Sequence, residues 1–220
     1  MIKIESKLKY LSILTLLFIL MFSSISWLIH SDVNKQIDGI KKEQFNYLKH
    51  SYKQGLDRFN MIANDVFNRL KEDSVVIEIF KEATTANSSQ RSKLRAKLQH
   101  YLQNDYKRLY SLGIRQLHFI LPNNTTFLRM HKPDKFDDDM TNIRYSFTYV
   151  NYIKQPISGF EEGYSTHGFR HVFPLIIDGK YLGSIDISFS PTKLQDYIEH
   201  ATKIHTHFIV NKNIFKTIAW

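Results

Sequence analysis

No cysteine occurs among the 220 residues, which removes disulfides and thiolate metal sites from consideration. Catalytic signatures are also missing: there is no G-x-S-x-G, no glycine loop to cradle a phosphate and no H-E-x-x-H. From Tyr10 to Ile29 (YLSILTLLFILMFSSISWLI) charge itself is absent. A helix of about 20 residues spans a bilayer. Lys3, Lys7 and Lys9 precede this run and Trp27 stands near its far end, so it is expected to be an uncleaved anchor with a cytoplasmic N-terminus. A cleaved signal peptide would have a shorter apolar region and a small-residue cleavage site. The remainder is then expected outside the cytoplasm, on the periplasmic side of an inner membrane.

What is present reads as a folded protein: 43% of residues are hydrophobic, 23% are charged, and there are 16 Phe and 12 Tyr. The net charge of +9 is spread along helical segments, and no nucleic-acid motif accompanies it. From about residue 31 to 72 no proline interrupts a stripe of Phe45, Leu48, Tyr52, Leu56, Phe59, Ala63, Val66 and Leu70 at helical spacing. That predicts a stalk helix on the order of 60 Å long, with Gly39 and Gly55 as its weak points. A second helix, capped by Ser88 or Ser89, carries Leu94, Leu98, Leu102, Tyr106 and Leu109 on one side and stops at Gly113.

At Ile114 the period changes from helix to strand. IRQLHFIL (114–121) and TTFLRMH (125–131) flank a PNN turn, and FRHVFPLII (169–177) and KYLGSIDISF (180–189) flank Asp178-Gly179. Between the hairpins lie an expected helix over 137–155 and a strand over 157–165. A further helix is predicted over 191–204, followed by the first strands of a second sheet over 206–220. The fold class is therefore α+β: a transmembrane helix and long stalk, a PAS-like antiparallel sheet with flanking helices, and the start of a second small sheet. The divisions are 1–30 (tip and anchor), 31–113 (helical stalk and helix pair), 114–190 (sensor subdomain) and 191–220 (linker helix and incomplete second subdomain).

Strand alternation places Phe127, Arg129 and His131 on one face and Leu128 and Met130 on the other. Arg144 and Asn151 lie two helical turns apart on the next element, Glu161 sits on the third strand and Arg170 opens the fourth. Guanidinium groups bind carboxylate or phosphate through paired charge-assisted bonds. These six residues (Arg129, His131, Arg144, Asn151, Glu161, Arg170) are the candidate ligand site, with Phe127 or Tyr164 closing its apolar side. The competing arrangement pairs Arg144 and Arg170 with Glu161, Glu162 or the Asp137–Asp139 run in surface salt bridges of little energy. Asp137–Asp139 is expected to cap a helix rather than hold a cation. His167 and His171 are not expected to bind zinc, because they stand in a turn and a strand. No metal or cofactor is expected.

The segments FLRMHKPDKFDDD, NIR and GFEEGYSTHGFRHVFPLIIDGKYLGSIDISFS resemble the first sensory subdomain of double Cache domains of the type-3-like group. The shared pattern falls on Leu128, Arg129, His131, Pro133, Asp138, Arg144, Gly159, Glu161, Gly163, Gly168, Arg170 and Pro174. It covers about 110–190, and the anchor and long helix agree in layout. Asp137 stands where such domains often have glycine, and the chain stops at Trp220 with the second subdomain barely begun. The resemblance implies a bacterial membrane-anchored receptor, either a truncated piece or part of a chemoreceptor, histidine kinase or diguanylate cyclase. It implies a small-molecule ligand and a homodimer, and no catalysis in this chain. The other class of function left open is a module that docks a periplasmic binding protein or partner receptor without touching a ligand.

Overall fold

The computed structural model describes residues 2–161 and 167–209. The chain divides into two compact units, residues 1–50 and 51–220. The first is helical throughout its described residues and belongs to α1 (Ile2–Glu72). Anchor and stalk are thus one uninterrupted helix. Among the described residues it is the one helix long and apolar enough to cross a membrane, and its side chains from Leu11 to Ile29 are exposed, as a lipid-facing segment requires.

The second unit contains the end of α1, then α2 (Ser74–Ala83), α3 (Ser88–Ser111), β1 (Ile114–Ile120), β2 (Thr126–Arg129), α4 (Tyr145–Ile153), β3 (Ile157–Glu161), β4 (Gly168–Ile177), β5 (Lys180–Phe189) and α5 (Pro191–Thr202). The five strands form one antiparallel sheet in the order β2-β1-β5-β4-β3. Strands β4 and β5 close through Asp178 and Gly179, both at positive φ, the geometry of a tight hairpin turn.

The two faces of the sheet differ in chemistry. One carries Phe119, Phe169, Phe173, Ile185, Ile187 and Phe189, all buried. Against it pack Phe59, stacked on Phe189 at 4.2 Å, and Phe67, stacked on Phe173 at 4.5 Å, both from the last turns of α1. Phe80 of α2 meets Phe119 and Phe127. Such rings supply the largest apolar burial per residue. Gly55, a weak point by helix propensity, lets α5 approach α1: a Cβ there would collide with Leu194 Cδ1. The opposite face mixes Ile120 and Val172, packed against Phe147 and Val150 of α4, with polar Gln116, His118, Arg170, Asp186 and Ser188.

Four expectations need correction. Asn87, not Ser88 or Ser89, caps α3, in a reciprocal capping box with Gln90. The helix expected over 137–155 begins only at Tyr145. Asp137 adopts φ 60, a left-handed conformation that ends helical continuity, and the aspartates turn their oxygens to Arg95, Arg129 and Thr141 instead of capping a helix. Phe127 does not share a face with Arg129. Phe119 pairs with Leu128 and Ile120 with Thr126, so Phe127 is the extra residue of a β-bulge and enters the helix-side core against Phe80. Finally, residues 204–209 pair with no strand. The rest of the expected second sheet lies outside the described residues, as do Glu162, Gly163 and Tyr164.

Candidate functional site

The polar face of the sheet carries a cavity of about 480 Å³ lined by Gln116 and His118 of β1, Arg129 of β2, and His131, Lys132, Lys135, Asp138, Met140, Ile143 and Arg144 of the loop before α4. The volume lies within the range of small-molecule sites. Met140 and Ile143 give it an apolar side. Four lining side chains are cationic and one, Asp138, is a carboxylate.

Arg129 is set by its strand and its loop together. Its Nη1 and Nη2 each donate to one Asp138 oxygen at 2.7 Å, and Nη1 also donates to the Lys135 carbonyl at 2.8 Å. The bidentate bond from Arg129 holds the Asp138 carboxyl below its usual pKa. One residue earlier, Asp137 accepts from the buried Arg95 at 2.6 Å, and Arg95 Nε donates to the Phe127 carbonyl at 2.6 Å. The loop is therefore pinned to α3 and β2 by two adjacent aspartates. Thr125 bridges to Asp139, which accepts from the Thr141 amide and hydroxyl.

Behind the cavity lies a buried ionic layer. Arg170, 2% exposed, donates from Nη1 to Asp186 (2.8 Å), Gln116 (3.0 Å) and Ser188 (3.2 Å). Its Nε stands 3.1 Å from Glu161, whose carboxylate is also 3.9 Å from Arg144. Glu161 has a second task. Arg144, the N-cap of α4, makes no side-chain capping bond; instead Glu161 reaches from β3 to accept from the Ser146 amide at 3.0 Å and the Ser146 hydroxyl at 2.7 Å. A carboxylate at the positive end of a helix is doubly favoured.

Both cavity histidines are neutral at physiological pH. Burial, then the nearby Arg129, pushes His131 down to about 3, and the same two causes hold His118 well below its ordinary value. The rings lie 6.3 Å apart. His118 is fixed by Thr126 at 3.3 Å and by Phe147 at its edge, whereas the buried Nδ1 of His131 has no hydrogen-bond partner. Burial, then repulsion by Arg170, lowers Arg144 to about 10, which leaves it charged.

Of the six expected site residues, Arg129, His131 and Arg144 line the cavity together. Glu161 and Arg170 form the layer behind it, joined to Arg144 by the ion pairs above and not by surface bridges. Asn151 stands apart: its amide donates to the Leu121 carbonyl and Asn124, and it accepts from Tyr181, which fixes the turn between β1 and β2. Sequence reasoning missed Gln116, His118, Lys135 and Asp186. For Gln116, His118 and Asp186 the signal was present as polar residues alternating with apolar ones in RQLHF and SIDIS; Lys135, in the loop after β2, carried none. Among the described residues no group of three or more His, Asp or Glu is placed to hold a metal.

The fold resembles solved sensor domains at low identity. The ligand-binding domain of the Campylobacter jejuni chemoreceptor Tlp3 in complex with L-valine has a TM-score of 0.50 and 14% identity over 71% of this chain and 62% of that one. Its complex with L-norvaline gives 0.50, 13%, 71% and 61%. The E. coli DcuS sensor domain gives a TM-score of 0.48 and 10% identity over 66% of this chain and 98% of that one. At these identities the likeness is one of fold. This chain spans 60% and 63% of the length of two further matching sensor domains, from a histidine kinase and a GGDEF-family protein. No curated protein sequence matches it. The sequence pattern of one family, described as the double sensory domain of two-component sensor kinases, matches residues 35–215, and the chain accordingly belongs to that double Cache family, dCache_3.

Proposed function

We propose that this sensor domain binds a small anionic ligand, such as a carboxylate, in the cavity between Arg129, His131 and Arg144, with Arg170 supporting the site from behind. The observation that carries this reading is the charge of the lining: Arg129, Lys132, Lys135 and Arg144 face one carboxylate. Like charges gathered at one site repel one another, and an entering anion relieves that repulsion. In this reading residues 10–29 cross the inner membrane, residues 31–113 form the stalk and its partner helix, 114–190 sense on the periplasmic side, and 191–220 link to a second subdomain. A ligand that favours one arrangement of the β2–α4 loop, sheet and α1 shifts the population toward it, and the continuous helix carries that shift to the membrane of a homodimer.

A thermal-shift screen of the detergent-solubilised chain with organic acids tests the reading. A binding anion in hundredfold excess over its Kd stabilises by about 2.7 kcal/mol. Arg129→Gln and Lys135→Gln are each expected to diminish the shift. Stabilisation indifferent to both substitutions would contradict the site. The second reading, a docking module, draws on the exposed Tyr145, Tyr152 and Phe160. It predicts that Tyr152→Ser abolishes capture of a partner while no small anion changes the melting temperature.

A further inference from the structure

The two edges of the sheet are finished differently. Strand β2 is covered by its own chain: the Thr126 amide donates to the Asp138 carbonyl at 3.0 Å, the Asp137 amide donates to the Thr126 carbonyl at 2.9 Å, and Thr125 bridges to Asp139. At the other edge, β3 pairs with β4 through five consecutive residues, Ile157 to Glu161. Among the described residues no further backbone bond reaches β3. Every second residue of such a strand turns its N–H and C=O outward. Natural edges are blunted by lysine, by proline or by a bulge. The strand ISGFE contains neither residue, and its register with β4 runs without a shift, whereas each of the other three pairings contains one. Its one charge, Glu161, is turned inward to Ser146 and Arg170.

Beside this edge lies a groove of about 210 Å³, lined by all five residues of β3, by Tyr145 and Ser146 of α4, and by Arg170. Successive strand residues point to opposite faces, so a groove that touches all five runs along the outer edge. Gly159 stands at the centre of the strand, and a Cβ added there would meet no atom within 4 Å. Glycine inside a strand marks a place where another backbone can come close. Ile157 and the exposed Tyr145 and Phe160 supply apolar walls.

We infer that this edge and groove dock an extended segment of a partner protein, which adds to β3 as a sixth strand and seats one aliphatic or aromatic side chain over Gly159. The site holds whether or not the cavity binds an anion. An open row of backbone donors and acceptors is answered by another extended backbone. The groove is smaller than small-molecule sites usually are, and it has room for a side chain. A second copy of the chain fits less well. Paired antiparallel about its centre, β3 would set Gly159 against Gly159 and leave both grooves empty. A five-residue ladder without an anchor also buries less than the roughly 1,000 Å² that a stable interface clears.

Selection of phage-displayed linear dodecapeptides on the detergent-solubilised full chain supplies probes, and fluorescence anisotropy of the synthetic peptides measures their binding. Selected peptides are expected to carry apolar side chains at alternate positions. Methylating alternate backbone nitrogens of a peptide removes the donors that face β3, and is expected to weaken binding tenfold or more in one of the two frames. Gly159→Val narrows the groove while its Cβ meets no neighbour. That variant is expected to keep its melting temperature and to weaken the same peptides tenfold or more. Should it melt early, the methylated peptides alone decide. A selection without binders, peptides indifferent to Gly159→Val in a folded variant, or peptides equally tight after methylation in both frames would each overturn the site. Gly159→Cys, in a chain with no other cysteine, tests the second copy. A disulfide-linked dimer formed in air would assign the edge to self-association and overturn the inference; a thiol that stays reduced agrees with it.

Discussion

His131 shows how one residue's environment can be turned into a measurement. Burial and Arg129, Lys132, Arg170 and Arg115 hold its folded pKa at about 3, and burial holds His171 at about 4, against about 6.5 in an unfolded chain. The unfolded state therefore binds more protons between those limits, and stability rises with pH across that window. Above pH 6.5 these groups contribute no pH dependence; by pH 5 each costs on the order of 2 kcal/mol. The melting temperature is expected to fall as pH drops from 7 to 5, and His131→Asn to flatten that slope. A melting temperature constant over this range would contradict the burial of both imidazoles. Asp137 is the second instructive residue. It occupies a left-handed position where glycine is the easier choice, yet its carboxylate answers the buried Arg95. Asp137→Gly relieves the backbone and strands the guanidinium, so urea denaturation is expected to show a net loss of about 1–2 kcal/mol. A gain in stability would show that the ion pair contributes less than the backbone conformation costs.

At the scale of elements, α4 depends on a strand that follows it. Nine residues are too few to hold a helix by propensity alone, and its cap comes from Glu161 of β3 rather than from its own N-cap residue. Glu161→Ala removes that cap and leaves Arg144 and Arg170 short of a counter-charge. The expected cost is about 2–3 kcal/mol, read as a lower denaturation midpoint; Glu161→Gln, which keeps an acceptor for Ser146, is expected to cost less. Equal effects would separate the cap from the charge and favour the charge alone. This dependence also explains what could be read in the chain beforehand. The hairpin strands, the stalk and α5 were legible because period and turn residues agree along each segment. The short α4 and its loop were not, because their form is set by side chains of other elements, Arg95 of α3, Arg129 of β2 and Glu161 of β3, which no local period announces. Three of the six expected site residues meet in the cavity since alternation survives at Arg129, while Phe127 was misplaced by a bulge that no local signal marks. The polar rows of β1 and β5 were visible as alternation but were not weighed as part of a site.

At the scale of the whole molecule, the chain joins an apolar helix of membrane-spanning length to a sensory domain of the double Cache family. Sheet and helices divide the labour in the second unit: aromatic packing on one face secures the end of α1, and the polar face opposite is left for a cavity of net positive charge. Ion pairs immobilise Arg129 and Arg170 before any ligand arrives, so little ordering remains to oppose binding. The central claim is that this cavity is where an anion binds. Crystals of the protein grown with bromosuccinate, a dicarboxylate carrying an anomalous scatterer, test it most directly. The account predicts a bromine peak inside the cavity, with carboxylate oxygens within hydrogen-bond distance of Arg144, Lys135 or His131. A peak elsewhere on the domain, with the cavity occupied by water alone, would contradict it.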